Sequence, residues 1–176
     1  YGMGIPSLSV HLFGEKNDET IRKAQHLYEK YFEGQDGVRA FFAKAQRGAA
    51  ANNFSDTFFG RRRYFDPRKN RPDSIKRQGA NHRIQGTAAD IYKLGVGRMF
   101  KRIFSRGLQG KVLLTAFVHD ETVLEVHRSI NPVEVVKLIR ESAMVKIEGW
   151  APLYVGIGFG RNWYEAKSTE IPVQAQ

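Results

Sequence analysis

Three ionisable residues, His119-Asp120-Glu121, stand together in the stretch VLLTAFVHDETVLEV, which covers residues 112–126. An unpaired carboxylate is costly to bury, so the two acidic side chains must be exposed, hydrogen-bonded or bound to a metal ion. Hard cations such as Mg²⁺ bind carboxylate oxygens and complete their shell with water and substrate phosphates. A second carboxylate from elsewhere in the protein would make a two-metal site for phosphoryl transfer. A polar β-turn is the alternative, because so short a motif is weak evidence by itself.

A row of hydrogen-bond donors precedes this stretch, in the sequence RQGANHRIQGTAAD. Arg77, Asn81 and Gln85, called the donor row below, are spaced by four residues, which places them along one face of a helix. Such a row suits the minor groove of DNA, where every base pair presents acceptors, so it would sense geometry rather than sequence. A solvated polar stripe is the alternative interpretation.

The second half of the chain is predicted to form the elements that hold these residues. A long helix begins at Pro72, ends near Gly107 and carries the donor row. KVLLTAFV and TVLEVH form the two strands of a hairpin, called the acidic hairpin below, and NPVEVVKLIRESAMVKIEG and PLYVGIGFG follow as a helix and a last strand. Each glycine inside a helix costs roughly 1 kcal/mol relative to alanine, so glycines there suggest close approach of another backbone or of a ligand. The long helix contains Gly79, Gly86, Gly95 and Gly97.

The first half of the chain is mostly helical by the same reasoning. NDETIRKAQHLYEKYFEG predicts a helix capped by Asn17 or Asp18, and DGVRAFFAKAQRGAAANN predicts a second. TFFGRRRYF, called the basic hairpin below, predicts two short strands that turn near Gly60. The fold class that accommodates all of these elements is α+β, with a small antiparallel sheet packed against helices.

Composition and charge restrict the function classes. The chain has 176 residues with a formal net charge of +10 and contains no cysteine, which excludes disulfides, thiolate metal sites and cysteine nucleophiles. Residues 57–83 hold nine basic residues against two acidic ones. Such a concentration of positive charge favours a polyanionic partner such as nucleic acid, with a solvated basic loop as the alternative.

Several motifs, in this order and spacing, resemble the C-terminal part of the polymerase domain of family A DNA polymerases, the DNA polymerase I type. Tyr1-Gly2-Met3 is similar to the end of the fingers motif that closes on the incoming nucleotide. The basic hairpin is similar to the family's T-x-x-G-R-R-x-Y segment, and residues 77–91 to its long palm helix. Residues 118–121, VHDE, resemble its second metal-binding motif, and residues 160–163 resemble a closing G-x-N-W.

The resemblance implies roles for residues at the reaction centre. Asp120 would bind the catalytic pair of Mg²⁺ ions, and Glu121 would be a supporting carboxylate of lesser importance. His119 would touch the primer terminus, and Tyr1 would pack beside the nascent base pair. The substrates implied are primer–template DNA and a deoxynucleoside triphosphate.

The resemblance also implies a DNA-binding surface. The donor row would hold the minor groove of the primer–template, and Arg61 and Arg62 would lie near its backbone. One departure is His82-Arg83 between Asn81 and Gln85, where the family usually has a sequence such as Ala-Pro; it adds a cation near the DNA.

By the same resemblance, residues 1–53 would be the end of the fingers and residues 54–176 the palm. The D-Y-S-x-I-E type motif that supplies another metal-binding Asp is not in this sequence, nor is the fingers helix that holds the triphosphate. The chain is therefore expected to be one part of a split or cleaved enzyme that works with a separate N-terminal polymerase chain. No segment predicts membrane insertion, and the expected location is the cytoplasm of a bacterial cell or phage-infected host.

Two alternatives to a polymerase remain at this point. The first is a non-catalytic DNA-binding module that kept the groove-binding face of a palm. The second, a stand-alone metal nuclease, needs more carboxylates than the acidic hairpin offers.

Overall fold

The computed structural model describes residues 3–169 and 171–173. The chain divides into two compact units, residues 1–88 and residues 89–176, which are described separately. In the first unit the elements are α1 (Ile5–Phe13), α2 (Asp18–Tyr31), α3 (Asp36–Asn52), β1 (Phe54–Asp56), β2 (Arg62–Tyr64) and α4 (Pro72–Asn81), followed by a π-helical turn (His82–Gly86). Helix α5 (Thr87–Ser105) then leads into β3 (Val112–Val118), β4 (Glu121–Val126), α6 (Pro132–Ala143), β5 (Val155–Ile157), α7 (Trp163–Ser168) and β6 (Ile171–Val173) of the second unit.

Helices α2, α3, α4 and α6 begin at the residues that the sequence predicts. Asn17 caps α2: its Oδ1 accepts from the Thr20 backbone N–H at 2.9 Å, and Thr20 Oγ1 accepts from the Asn17 N–H at 3.0 Å. Asn131 caps α6 by accepting from the Val133 N–H at 2.9 Å. Helix α6 ends at Ala143, earlier than predicted, because Met144 is extended and the chain then buries Val145.

The first unit is held together by close contact between α3, α4 and the strand that follows the basic hairpin's turn. Ala49, Phe65 and Ile75 form its buried cluster. A Cβ added at Gly79 would lie 2.1 Å from Ala49 Cβ, so only glycine allows α4 to lie this close to α3. The backbone carbonyl of Gly79 also accepts a buried hydrogen bond from Ser55 Oγ at 2.7 Å.

The second unit packs α5 and α6 against the acidic hairpin, β3–β4. Met99, Ile103, Val112 and Leu138 are its buried centre, and apolar side chains of β4 pack around them. A Cβ at Gly95 would lie 3.0 Å from the Ala143 backbone, so α5 and α6 also meet at a glycine. The hairpin is antiparallel and its register shifts between Leu114 and Ala116.

The strands of the described residues form three two-stranded antiparallel sheets, β1–β2, β3–β4 and β5–β6. The predicted last strand is shorter than expected and pairs with β6, so that Val155 lies opposite Val173. The predicted elements end with this strand and include neither α7 nor β6. Within the part of the chain that the structure describes, no helix is long and apolar enough to cross a membrane.

The glycines of the predicted long helix have different surroundings. A Cβ would meet a neighbour at under 3.0 Å at Gly79 and Gly86 and at 3.0 Å at Gly95, whereas at Gly97 it would meet nothing within 4 Å. The expected close approach is therefore confirmed for the first three. At Gly97 no described residue makes it, and the alternative of a ligand stays a prediction.

Alanine substitutions at two of these glycines should change stability in opposite directions. Gly79→Ala forces α3 and α4 apart and should lower the free energy of unfolding by about 1–3 kcal/mol, the usual cost of overpacking. Gly97→Ala improves helix propensity in open space and should raise it by up to about 1 kcal/mol. Urea unfolding followed by circular dichroism would measure both, and equal effects at the two positions would contradict the packing described.

Candidate active site and nucleic-acid interface

The acidic hairpin presents His119 and Asp120 in a two-residue turn. Val118 pairs with Glu121 at the ends of the strands, so the turn consists of His119 and Asp120 alone. His119 adopts a left-handed backbone conformation with φ of 55°, which tight hairpin turns require and histidine tolerates better than most residues. Both side chains of the turn are exposed. The hairpin thus holds a carboxylate at a fixed point in contact with solvent.

The two adjacent carboxylates have different surroundings. The side chain of Asp120 makes no hydrogen bond or ion pair with any described residue. Glu121 is half-buried, and its Oε1 lies 2.8 Å from Lys167 Nζ on α7. The backbone carbonyl of Glu121 also accepts a hydrogen bond from the Tyr92 hydroxyl at 2.8 Å. Asp120 therefore remains available to a ligand, whereas Glu121 is already held by the protein.

A divalent cation suits Asp120 and requires further ligands. An exposed carboxylate on a rigid turn can give a hard cation one or two oxygens, with water and phosphate oxygens completing the shell. Among residues 3–169 and 171–173, no group of three or more His, Asp or Glu side chains is placed to bind a metal ion. Among the described residues, Asp120 fits the role of one ligand of a magnesium site that needs others.

The donor row lies on α4 and the π-helical turn. Arg77 and Gln85 are exposed and Asn81 is half-buried. None of the three side chains hydrogen-bonds to a described residue. The predicted long helix is present, but the π-turn at His82–Gly86 interrupts it between Asn81 and Gln85. Because a π-turn is wider than an α-turn, Gln85 is rotated from the position that an uninterrupted helix would give it.

The π-turn is fixed by contacts with the basic hairpin. His82 is buried, and its Nε2 lies 3.3 Å from the Arg61 carbonyl oxygen. The Gly86 carbonyl accepts from Arg61 Nη2 at 3.0 Å. The Thr87 hydroxyl accepts from the Phe58 N–H at 2.9 Å. A Cβ at Gly86 would come within 3.0 Å of both Thr57 and His82. The turn that carries Gln85 is therefore part of a packed network.

The basic hairpin turns at Gly60, whose φ of 83° favours glycine, as the sequence predicts. Its first strand, β1, lies at Phe54–Asp56, just before the predicted segment that begins at Thr57. Arg62 makes a bidentate ion pair with Asp56 at 2.9 and 3.1 Å and stacks over the Phe54 ring at 3.7 Å from its centroid. The hydrogen bonds that Arg62 donates to Asp56 lower the pKa of the Asp56 carboxyl and raise the pKa of the Arg62 guanidinium. Both arginines predicted to lie near DNA, Arg61 and Arg62, thus also make contacts within the protein.

Sequence reasoning missed three features that bear on the site. The π-turn has no signal in helical periodicity, although Gly86 marked a close approach. Tyr92 and Lys167 belong to no functional motif of the sequence, so no signal there could have found them. Tyr1, predicted to pack beside the nascent base pair, lies outside the described residues.

Comparison with known proteins agrees with the motifs. Residues 1–165 match the model of DNA polymerase family A. The chain is 34% identical over 173 residues to the thermostable DNA polymerase I of Thermus filiformis, covering 95% of this chain and 19% of that protein. It is 35% identical over 161 residues to DNA polymerase I of Streptococcus pneumoniae, covering 88% of this chain and 18% of that protein. The chain thus spans about a fifth of the length of these relatives.

A solved structure shows the same fold. The POL domain of Pol1 from M. smegmatis, in complex with DNA primer-template and dNTP, superposes with a TM-score of 0.82 at 30% identity, covering 95% of this chain and 29% of that one. The family match over residues 1–165 and the likeness in fold agree, and the chain belongs to DNA polymerase family A.

Proposed function

We propose that this chain is the C-terminal part of a DNA-directed DNA polymerase, contributing a palm and the end of the fingers to template-directed nucleotidyl transfer. The observation that carries the proposal is Asp120, an exposed carboxylate without a partner among the described residues, at the tip of a hairpin that matches the family's metal-binding motif. Residues 1–53 would belong to the fingers and residues 54–176 to the palm.

The remaining catalytic groups would come from polypeptide outside these 176 residues. The chain covers 19% of its Thermus filiformis relative. A separate N-terminal chain would supply the other metal-binding Asp and the fingers helix that holds the triphosphate. What supports this division is the acidic hairpin, where Asp120 is exposed and Glu121 is already paired with Lys167.

The residues of this chain would bind and orient the substrates. Two Mg²⁺ ions held partly by Asp120 would activate the primer 3′-hydroxyl for in-line attack on the α-phosphate and stabilise the leaving group. His119, exposed beside Asp120, would contact the primer terminus. The donor row would hold the minor groove of the newest base pairs. Arg61 would act mainly by fixing the turn that carries Gln85, with any DNA contact secondary.

Asp120→Ala in the assembled polymerase should abolish nucleotide incorporation and leave primer–template affinity largely unchanged. Affinity should come from phosphate and groove contacts, whereas Asp120 serves the metal ions. Glu121→Ala should cost less, because Lys167 already neutralises that carboxylate. Single-turnover extension and DNA-binding titrations measure the two effects. Equal losses of rate would contradict the division of roles, and an unchanged rate with Asp120→Ala would favour the non-catalytic DNA-binding module.

The donor row should sense the geometry of the base pair. Arg77→Ala and Gln85→Ala should slow extension of all four matched primer termini about alike, by roughly ten-fold, and change the penalty for a terminal mismatch. Lys76→Ala is the matched control, since Lys76 is exposed beside Arg77 and already paired with Asp73. Single-turnover extension measures these rates. An effect confined to one base identity would indicate sequence readout, and no effect would indicate a solvated stripe.

The 176-residue chain alone should not extend a primer, and activity should return when the N-terminal part of the polymerase is added. The physical reason is that one carboxylate cannot organise two metal ions. Primer extension by the purified chain, with and without an N-terminal part carrying an intact D-Y-S-x-I-E type motif, provides the test. Extension by the chain alone would contradict the split.

A further inference from the structure

Tyr92 of α5 contacts the base of the turn that carries Asp120. Its hydroxyl donates to the Glu121 backbone carbonyl at 2.8 Å and lies 2.9 Å from the Thr122 hydroxyl oxygen. Tyr92 is half-buried, so these bonds are partly shielded from water. A side chain from the helix that packs beneath the hairpin thus bonds the main chain next to Asp120.

Lys167 of α7, which lies late in the sequence of the second unit, contacts Glu121 through its side chain. Its Nζ lies 2.8 Å from Glu121 Oε1. Helix α7 begins at the closing motif: Asn162 caps it by accepting from the Glu165 N–H at 3.0 Å. A Cβ at Gly160 would lie 2.5 Å from the Ala166 nitrogen, so only glycine lets the chain pass this close to α7. The motif therefore fixes the helix that brings Lys167 to the acidic hairpin.

The segment that carries Lys167 is also fastened beyond the helix. Thr169 Oγ1 donates to the Phe159 carbonyl at 2.7 Å and accepts from the Phe159 N–H at 3.0 Å. β6 then pairs with β5. Residues 166–169 and 171–173 lie past the end of the family match at residue 165, yet Thr169 and β6 tie them to β5 and the residues that follow it.

We propose that Tyr92 and Lys167 are positioning residues that hold Glu121 by its main chain and by its side chain, and thereby fix the carboxylate of Asp120. This inference rests on the proposed function, in which Asp120 binds the metal ions. In this proposal, Glu121 anchors the turn. Residues after the closing motif then help to position the carboxylate that binds the metal ions.

The two anchors are unequal in strength. The Lys167–Glu121 ion pair is largely exposed, with side-chain exposures of 58% and 37%, and pairs of this kind contribute little. The Tyr92 hydroxyl makes two partly shielded hydrogen bonds and is the stronger anchor. Rigidity matters here because a metal ligand must be held to within about 0.5 Å of its productive position. The left-handed conformation of His119 likewise persists only where neighbouring contacts enforce it.

Amide hydrogen exchange on the 176-residue chain tests the anchoring directly. Tyr92→Phe removes only the hydroxyl and should raise exchange rates at residues 117–122 by about two- to ten-fold, the range for one or two lost hydrogen bonds. Tyr164→Phe is the matched control, because that side chain is 83% exposed on α7. Lys167→Met should give a smaller increase, which Lys167→Arg restores. Unchanged exchange at residues 117–122 in Tyr92→Phe, or an equal change throughout the chain, would overturn the proposal.

The magnesium requirement of the assembled polymerase tests the consequence for Asp120. Tyr92→Phe changes no charge, so it should raise the Mg²⁺ concentration for half-maximal single-turnover rate by at least about three-fold, as loss of a group behind a metal ligand does. The dNTP concentration for half-maximal rate, measured at saturating Mg²⁺, should not change. A lower rate with an unchanged Mg²⁺ requirement would overturn the positioning role.

Lys167 is tested through its coupling to Glu121, because its removal also alters local charge. Lys167→Met should change the extension rate in the wild-type background and have no further effect in Glu121→Gln. Additive effects would overturn the role of Lys167. Failure of the proposed function can be told apart from failure of this inference. If the proposed function is wrong, the assembled wild-type polymerase does not extend a primer. Hydrogen exchange still reports whether Tyr92 anchors the turn.

Discussion

Backbone contact at glycine is the constraint on which both units depend. At Gly79 and Gly86 an added methyl group would come under 3.0 Å from a neighbouring side chain, and at Gly95 it would lie 3.0 Å from the Ala143 backbone. Each contact sets where a functional element lies: α3 against α4, the basic hairpin against the π-turn, and α6 against α5. Helix propensity opposes glycine at all three positions. Glycine at these positions lowers local helix stability but allows close packing. The tertiary contacts that result offset the loss of helix stability.

The π-turn shows how such packing acts on the candidate DNA interface. A Cβ at Gly86 would come within 3.0 Å of the His82 ring, so glycine leaves room in the π-turn for this buried imidazole, whose Nε2 lies 3.3 Å from the Arg61 carbonyl oxygen. Arg61 in turn donates to the Gly86 carbonyl. The direction of Gln85 is therefore determined by the basic hairpin as much as by the helix that carries it.

Much of the fold was predictable because its signals are local. Asn17, Asn131, Gly60 and the alternating apolar runs each specify an element through neighbours in sequence, and the structure confirms those elements. The motif VHDE could likewise be placed at a hairpin tip. The contacts around Asp120 could not be predicted, since Tyr92 meets Glu121 only through packing of α5 on the hairpin. The resemblance to the family implied roles for Asp120 and Glu121, but it implied none for Tyr92 or Lys167.

Net charge and available charge differ within the basic segment. Residues 57–83 hold nine basic residues against two acidic ones, and this excess gives long-range attraction to a polyanion whatever the local contacts are. Arg62 and Lys76 are paired with carboxylates, and Arg63 hydrogen-bonds to Gln78. Arg77 and Arg83 are exposed and make no side-chain hydrogen bond or ion pair with a described residue. In the proposed function, Arg77 and Arg83 could contact DNA without giving up an ion pair, whereas Arg62 would first have to leave Asp56. The proposal therefore favours the α4 face and the π-turn over the hairpin strands as the surface that meets the duplex.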